Sequence, residues 1–158
     1  MTGFRRITPF LWFDDQAEEA AAFYTGIFPN SRIRQVTRYS KEASGPSGRP
    51  EGSVMTVDFE LDGEPVSALN GGPSFKFTEA ISLVVKCKDQ AEIDHYWHRL
   101  SEGGDPNAQA CGWLKDKYGL SWQICPVEID ELAKSPKAMA ELMKMKKIDV
   151  ALLKAVAS

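Results

Sequence analysis

The sequence contains few histidines and cysteines, the side chains that most often bind transition metals or act as nucleophiles and bases. Only two of its 158 residues are histidines, and its three cysteines, Cys87, Cys111 and Cys125, form no CxxC pair. An odd and widely spaced set of cysteines is typical neither of a disulfide framework nor of a zinc site. We therefore expect reduced thiols, as in proteins of the cytoplasm.

Long apolar runs and an excess of basic charge are also missing. No apolar run approaches the roughly 20 residues that span a bilayer, and residues 1–6 contain no apolar signal core. The net charge is −3, whereas a nucleic-acid-binding protein usually shows a basic patch. These absences predict a cytoplasmic protein with neither a membrane nor a nucleic-acid partner.

A pattern that occurs twice dominates what is present. Each copy begins with a β-like run, continues with a helical stretch and ends in strand-like runs. Residues 15–18 read DQAE, and residues 89–92 repeat these four letters 74 positions later. The same order of elements at one offset indicates an internal repeat. It predicts an α+β fold, in which two tandem βαβββ modules form a curved mixed sheet.

Local patterns predict the individual elements. Asp14 or Asp15 is the expected N-cap of the first helix, and residues 41–51, rich in Gly, Ser and Pro, are expected to form a mobile loop. Residues 53–61 alternate as a strand, with Asp58 and Glu60 on its solvated face. In the second copy, residues 105–110 lie where a further strand is expected.

We interpret residues 1–158 as a single domain. Module one spans residues 5–73, module two spans residues 78–126, and a helical appendage spans residues 127–158. The appendage contains a stripe of apolar residues, including several methionines, at helical spacing. Such a stripe is usually core or a subunit contact, and we expect a homodimer.

Several segments resemble a known family. ALNGGPSFKFTEAIS at 68–82 and CGWLKDKYGLSWQICP at 111–126 are similar to the PhnB-like branch of the vicinal-oxygen-chelate superfamily, the group of glyoxalases, bleomycin-resistance proteins and dioxygenases. The resemblance covers nearly the whole chain. Many members of the branch carry the label 3-demethylubiquinone-9 3-methyltransferase. The sequence has no glycine-rich strand-to-helix loop followed by an acidic residue, so we do not expect methyl transfer.

The resemblance also locates the positions at which metal-dependent members of the superfamily bind their metal with His or Glu. In this sequence those positions hold Thr8, Asn70, Ser82 and Gln123. Hydroxyl and amide oxygens alone bind divalent transition metals poorly. We therefore expect no metal and no other cofactor, and we expect the two histidines to lie on the outer surface of the second helix.

The strands that carry these four positions are expected to form the wall of a small-molecule pocket. Aromatic walls with a few convergent amides are typical of such pockets, although the aromatic residues would fit a hydrophobic core equally well. Strand alternation allows only one of Trp122 and Gln123 to face the pocket, and the resemblance favours Gln123. The candidate pocket residues are Thr8, Phe10, Trp12, Asn70, Phe77, Ser82, Trp113 and Gln123.

Three functions are consistent with these features. The leading one is a metal-free, glyoxalase-like protein that binds a small molecule, with or without weak catalysis. The second is a metal-dependent lyase, isomerase or dioxygenase that acts on a vicinal-oxygen substrate. The third is a resistance-type protein that sequesters its ligand. No Ser-His-Asp set can be assembled, because both histidines lie on one predicted helix, and enzyme activity stays an open question at this point.

Overall fold

The computed structural model describes residues 4–158, and the chain divides into two compact units. Unit 1 is Met1–Lys76 and unit 2 is Phe77–Ser158. Both units combine a mixed sheet with helices, which confirms the predicted α+β class and fits the βαβββ module, with four strands in unit 1 and three in unit 2. The hydrogen-bonded strands form one sheet in each unit, where a single curved sheet was expected.

Unit 1 is a four-stranded sheet in the order β1-β4-β3-β2. β1 and β4, the first and last strands of the unit along the chain, are parallel neighbours, and the other pairs are antiparallel. A tight turn at Asp62 and Gly63, both with positive φ, joins β3 to β4, as the Asp-Gly pair predicts. The elements are β1 (Phe10–Phe13), α1 (Ala17–Thr25), β2 (Arg32–Arg38), α2 (Lys41–Ser47), β3 (Val54–Leu61) and β4 (Glu64–Asn70).

The alternation of strand residues gives the unit 1 sheet two different faces. Phe13, Val57 and Phe59 are buried on the face that contacts α1. Tyr24 of α1 is fully buried there, and its ring stacks on that of Phe59 with 6.4 Å between the centroids. Residues that alternate with these along each strand, such as Trp12 in β1, point to the opposite face.

Unit 2 is a three-stranded sheet in the order β5-β7-β6, with β5 parallel to β7 and β6 antiparallel to it. Asp89 caps the helix that follows β5, because its side chain accepts a hydrogen bond from the backbone N–H of Glu92. The elements are β5 (Ser82–Cys87), α3 (Gln90–Ser101), a 3-10 helix (Pro106–Ala108), β6 (Trp113–Lys115), β7 (Ser121–Pro126), α4 (Ile129–Leu132), α5 (Pro136–Leu142) and α6 (Val150–Ala157).

Three local predictions are wrong. Residues 41–51 are not simply a loop, because Lys41–Ser47 is helical. The N-cap of α1 is Gln16, and neither Asp14 nor Asp15 caps it. Residues 105–110 form a 3-10 helix and a single bridge from Ala110 to Trp113 in place of a strand.

The structure also bears on the expected lack of membrane segments. Among residues 4–158, no helix has the length and apolar character that crossing a bilayer requires.

Candidate functional site

The candidate site that combines a cavity with residues predicted to form a pocket lies on the unit 2 sheet. Gln123 in β7 is paired with Val84 of β5 on one side and with Trp113 of β6 on the other. Its Nε2 donates a hydrogen bond of 2.9 Å to Oγ of Ser82, two residues before Val84 and on the same face. The structure thus brings together three of the predicted pocket residues, Ser82, Trp113 and Gln123.

A cavity of about 490 Å³ borders this face. The strands supply one wall, and residues of α4, α5 and the segment after α5 supply another. An ion pair between exposed Lys86 and Asp130, 3.6 Å apart, also lines it. We call this space the unit 2 cavity; its other lining residues include Val84, Trp113, Gln123, Cys125, Met139 and Met143.

The hydrogen bond to Ser82 uses only part of what Gln123 can offer. A glutamine side chain has two N–H donors and one carbonyl acceptor. Donation to Ser82 fixes the orientation of the amide and leaves its carbonyl and second N–H for a ligand. Gln123 is half-buried, so these groups are reachable from the cavity that it lines.

Trp122, the neighbour of Gln123, faces the other way. Its side chain is buried, and its Nε1 donates a hydrogen bond of 2.9 Å to Oδ2 of Asp116, which is also buried. The prediction that only one of Trp122 and Gln123 can face a pocket is therefore confirmed. Trp122 belongs to the core of unit 2.

The three thiols differ in their surroundings. Burial raises the pKa of the Cys87 thiol to about 12 and raises that of Cys125 as well, so both stay protonated and unreactive near neutral pH. Cys111 is half-buried, and its Sγ lies 3.8 Å from Sδ of Met143 at the edge of the unit 2 cavity.

In unit 1, Trp12 contacts both a backbone carbonyl and a second aromatic ring. Its Nε1 donates a hydrogen bond of 2.9 Å to the carbonyl of Gly72, and its ring meets that of Phe75 edge-on at 4.8 Å. A Cβ at position 71 would overlap the Trp12 indole, so only glycine fits there. Phe10 is exposed and Thr8 is half-buried.

Asn70 does not lie where the sequence led us to expect it. Its Oδ1 accepts a hydrogen bond of 2.8 Å from the backbone N–H of Ala17, and its Nδ2 donates to the carbonyl of Val54 at 3.2 Å. The side chain is therefore on the α1 side of the sheet, whereas a pocket wall shared with Trp12 would have required the opposite face. A role for Asn70 in ligand binding stays a prediction, as does one for Phe77, which is half-buried at the start of unit 2.

The expected solvent exposure of Glu60 is also wrong. Its side chain is buried and forms ion pairs with Arg34 and with Arg32, the latter at 3.4 Å. The hydrogen bond from Arg34 is the main reason that the pKa of Glu60 lies below its ordinary value. Asp58 accepts a hydrogen bond of 2.6 Å from Ser67. Both acids therefore have partners in the structure, and neither is a free general base.

The residues at the positions that the resemblance equates with metal ligands are hydroxyls and amides, which do not suit a divalent transition metal. Ser82 and Gln123 bond to each other, and the Asn70 side chain caps α1. In the part of the chain that the structure describes, no three His, Cys, Asp or Glu side chains are grouped so that they could hold a metal ion. His95 and His98 are exposed on α3, as expected. Binding without a metal remains a prediction.

Sequence reasoning missed two contributions to these sites. Met139 and Met143 line the unit 2 cavity, and the methionine stripe was the signal for them, although we interpreted it as core or a subunit contact. Arg49 is largely buried beside Gly72 in unit 1. No signal marked it, because it lies in the segment predicted to be a mobile loop.

Comparisons with known proteins extend these observations. The family model for 3-demethylubiquinone-9 3-methyltransferase matches residues 5–125, and no curated protein matches the chain. A PhnB protein from Bacillus cereus, which carries that methyltransferase name, is 38% identical, with 76% of this chain and 98% of that chain covered and a TM-score of 0.65.

Two more distant structures show a likeness of fold alone. A Pseudomonas aeruginosa protein is 20% identical, with 78% of this chain and 98% of that chain covered and a TM-score of 0.59. The fosfomycin resistance protein FosX of Listeria monocytogenes is 14% identical, with 83% and 96% covered and a TM-score of 0.55. The family model and the 38% identical Bacillus cereus relative show that the chain belongs to the 3-demethylubiquinone-9 3-methyltransferase (PhnB-like) family.

Proposed function

We propose that the protein binds a small molecule in the unit 2 cavity, against Trp113 and Gln123. The observation that carries this proposal is an oriented amide facing a cavity of about 490 Å³. Ligand pockets commonly combine such a volume with mostly apolar walls and a few fixed polar groups. For the candidates that neither line this cavity nor hydrogen-bond to Gln123, namely Thr8, Phe10, Trp12, Asn70 and Phe77, a role in ligand binding stays a prediction.

The walls define the chemistry of the ligand. Val84, Met139 and Met143 offer apolar and thioether contacts, and Trp113 offers an indole surface. Methionine side chains adapt to irregular shapes, while the Gln123 amide requires a hydrogen-bond donor or acceptor opposite it. A mainly apolar metabolite with one polar head meets both requirements.

We further propose that binding requires no metal and that the protein does not transfer methyl groups, despite the family name. The residues at the superfamily's metal-ligand positions are hydroxyls and amides, which are weak ligands for divalent transition metals. The protein would act as a cytoplasmic homodimer. Weak catalysis on the bound ligand is compatible with this proposal, and so is pure sequestration.

Replacement of Gln123 by alanine tests the assignment of the cavity. The wild-type protein is screened against a metabolite library by thermal shift, and each ligand found is titrated against Gln123→Ala. We expect affinity to fall about fivefold, because a net hydrogen bond contributes about 1 kcal/mol. Gln35→Ala, on an exposed residue of β2, is the matched control and should bind as the wild type does.

Three results would change the proposal. Equal affinity of Gln123→Ala and the wild type for the ligands found would show that the cavity is wrongly assigned. A stoichiometric divalent ion in elemental analysis of the purified protein would contradict metal-free binding and favour the metal-dependent alternative. Turnover of a bound ligand would rule out pure sequestration.

A further inference from the structure

We infer that unit 1 carries a second binding site, specific for small apolar molecules that bear an oxyanion, with Arg49 as the residue that binds the charge. This site is built from residues of unit 1 alone. It is independent of the function proposed for the unit 2 cavity.

The first argument is the setting of the Arg49 side chain, which is only 21% exposed. Its backbone is fixed, because its carbonyl accepts a hydrogen bond of 2.6 Å from Ser44 Oγ and its N–H donates to Ser47 Oγ at 3.1 Å. Its Nε is buried and has no hydrogen-bond partner in the described part of the chain. A buried donor without a partner is costly, so the hydrogen-bonding capacity of this guanidinium is not fully used within the described part of the chain.

The second argument is the incomplete neutralisation of the charge. Arg49 has an ion-pair partner in Asp14, whose Oδ1 lies 3.7 Å from Nη1. This distance is too long for a hydrogen bond, and the Asp14 side chain is about half exposed, so water screens the pair. The guanidinium therefore keeps donors for a second anion, and its planar fork suits carboxylate and phosphate oxygens.

The third argument is the surface beside the guanidinium. A Cβ at Gly72 would lie 3.9 Å from Nη1 of Arg49, so this glycine adjoins the charged group. The carbonyl of Gly72 holds the Trp12 indole, and Trp12 pairs with Phe75, which is 65% exposed. Gly72 thus adjoins both the Arg49 guanidinium and the Trp12 indole. This arrangement favours a ligand with a ring and an acidic group.

Calorimetric titration with three probes tests the inference. Benzoate and phenyl phosphate each carry a ring and an oxyanion, and benzamide is the neutral analogue of benzoate. We expect the wild type to bind at least one of the two anions more tightly than benzamide. Stronger binding of benzoate would identify a carboxylate site, and stronger binding of phenyl phosphate a phosphate ester site.

Variants then identify the residue. Arg49→Met keeps the length of the side chain and removes its charge, so anion affinity should fall about tenfold or more, as for other charge-assisted hydrogen bonds, while benzamide affinity is unchanged. Asp14→Asn should bind the anions more tightly, because the competing carboxylate is gone. Arg38→Met, on an exposed arginine of the same unit, is the matched control.

Several results would overturn the inference. These are equal affinity of the wild type for the anions and for benzamide, equal losses in Arg49→Met and Arg38→Met, and loss of anion binding in Gln123→Ala, which would move the site to the unit 2 cavity. If Arg49→Met does not fold by circular dichroism, Arg49→Lys decides. It keeps the charge but loses the fork, so unchanged anion affinity in that variant would count against a site for Arg49.

Discussion

Asp116 is the residue on which the end of the β6–β7 hairpin depends. Its carboxylate is buried and accepts hydrogen bonds from the Trp122 indole at 2.9 Å and from the backbone N–H groups of Tyr118 and Leu120 at 2.8 and 3.1 Å. Removal of the carboxylate would leave three donors without this acceptor in a buried region.

We therefore expect Asp116→Ala to lower the free energy of unfolding by about 3 kcal/mol, because each unsatisfied buried donor costs about 1 kcal/mol or more. Urea denaturation measures this loss. Asp130→Ala is the control, because Asp130 is exposed and its ion pair with Lys86 is on the surface, so we expect a change below about 0.5 kcal/mol. Equal effects of the two substitutions would contradict the role of Asp116.

Glu60 gives the stability of the protein a defined pH dependence. The Arg34 hydrogen bond lowers the pKa of Glu60 below its ordinary value of 4.5 in the folded state. A carboxyl group with a lowered folded pKa stabilises the fold above its unfolded pKa and loses this contribution as the pH falls through the folded pKa. The arginine pairs thus stabilise the fold near neutral pH.

The corresponding variant is Glu60→Gln, which removes the charge. We expect wild type to be more stable than this variant by a constant margin between pH 7 and about pH 5, and the margin should shrink as the pH falls below 4.5. Chemical denaturation at a series of pH values measures it. Glu64→Gln, on an exposed residue of the same unit, should show a much smaller margin, and a margin for Glu60→Gln that grows in acid would contradict the argument.

The residue predictions succeeded where alternation alone decides the outcome. Trp122 and Gln123 are adjacent in β7, so one had to be buried and the other directed to the opposite face. Asn70 and Glu60 failed for a common reason. Their surroundings are set by partners 53 and 26 positions away in the chain, Ala17 and Arg34, and no local pattern reveals such contacts.

At the scale of elements, the N-terminus of α1 is capped by a side chain of β4. Its N-cap, Gln16, makes no side-chain capping bond, and Asn70 at the end of β4 binds the N–H of Ala17 in its place. We expect Asn70→Ala to lower the free energy of unfolding by about 1–2 kcal/mol, the typical effect of losing a cap, and to speed hydrogen exchange at the Ala17 amide.

Gln16→Ala is the matched control for the cap. Gln16 occupies the formal N-cap position without a side-chain bond, so its replacement should change stability little. If Gln16→Ala were the more destabilising of the two substitutions, the capping role would belong to Gln16 and the assignment to Asn70 would be wrong.

Helix α2 shows why composition misled the prediction. Gly45 and Pro46 are typical of loops, yet both lie inside Lys41–Ser47. The signal for a helix was present at its start, where the Ser40 side chain accepts from the N–H of Ala43 and Glu42 lies in the first turn. Pro46 lies one residue before the end of the helix, so its missing N–H removes a single backbone hydrogen bond.

At the scale of the whole molecule, the repeat was the part that the sequence predicted best. The division at Lys76 and Phe77 falls between the predicted modules, 5–73 and 78–126. Pairing of a parallel first and last strand recurs as well, in β1 with β4 and in β5 with β7. Such features depend on the order of the helices and strands, and this order was predicted correctly even where the bounds or type of a single element were wrong. The unit 2 cavity depends on the packing of α4 and α5, which periodicity does not determine.

The expected homodimer can be tested through exposed apolar residues. Ile7 and Ile81 are 89% and 62% exposed, and apolar groups left in water favour association. Sedimentation equilibrium should give twice the subunit mass of 17.5 kDa. The double variant Ile7→Ser/Ile81→Ser should shift the equilibrium towards monomer, and Lys137→Ser, on an exposed residue of α5, should not. A single-subunit mass at all micromolar concentrations would contradict the dimer.

The placement of the tryptophans gives each candidate site its own optical reporter. Trp12 lies in the aromatic pair beside Gly72, and Trp113 lines the unit 2 cavity. Trp122 is buried in the core and can serve as an internal reference for fluorescence. Emission that a bound molecule quenches in the wild type but not in Trp12→Phe comes from unit 1, and the converse holds for Trp113→Phe. Occupancy of the two sites can thus be assigned separately by comparing the wild type with these two variants, without a dye or a label.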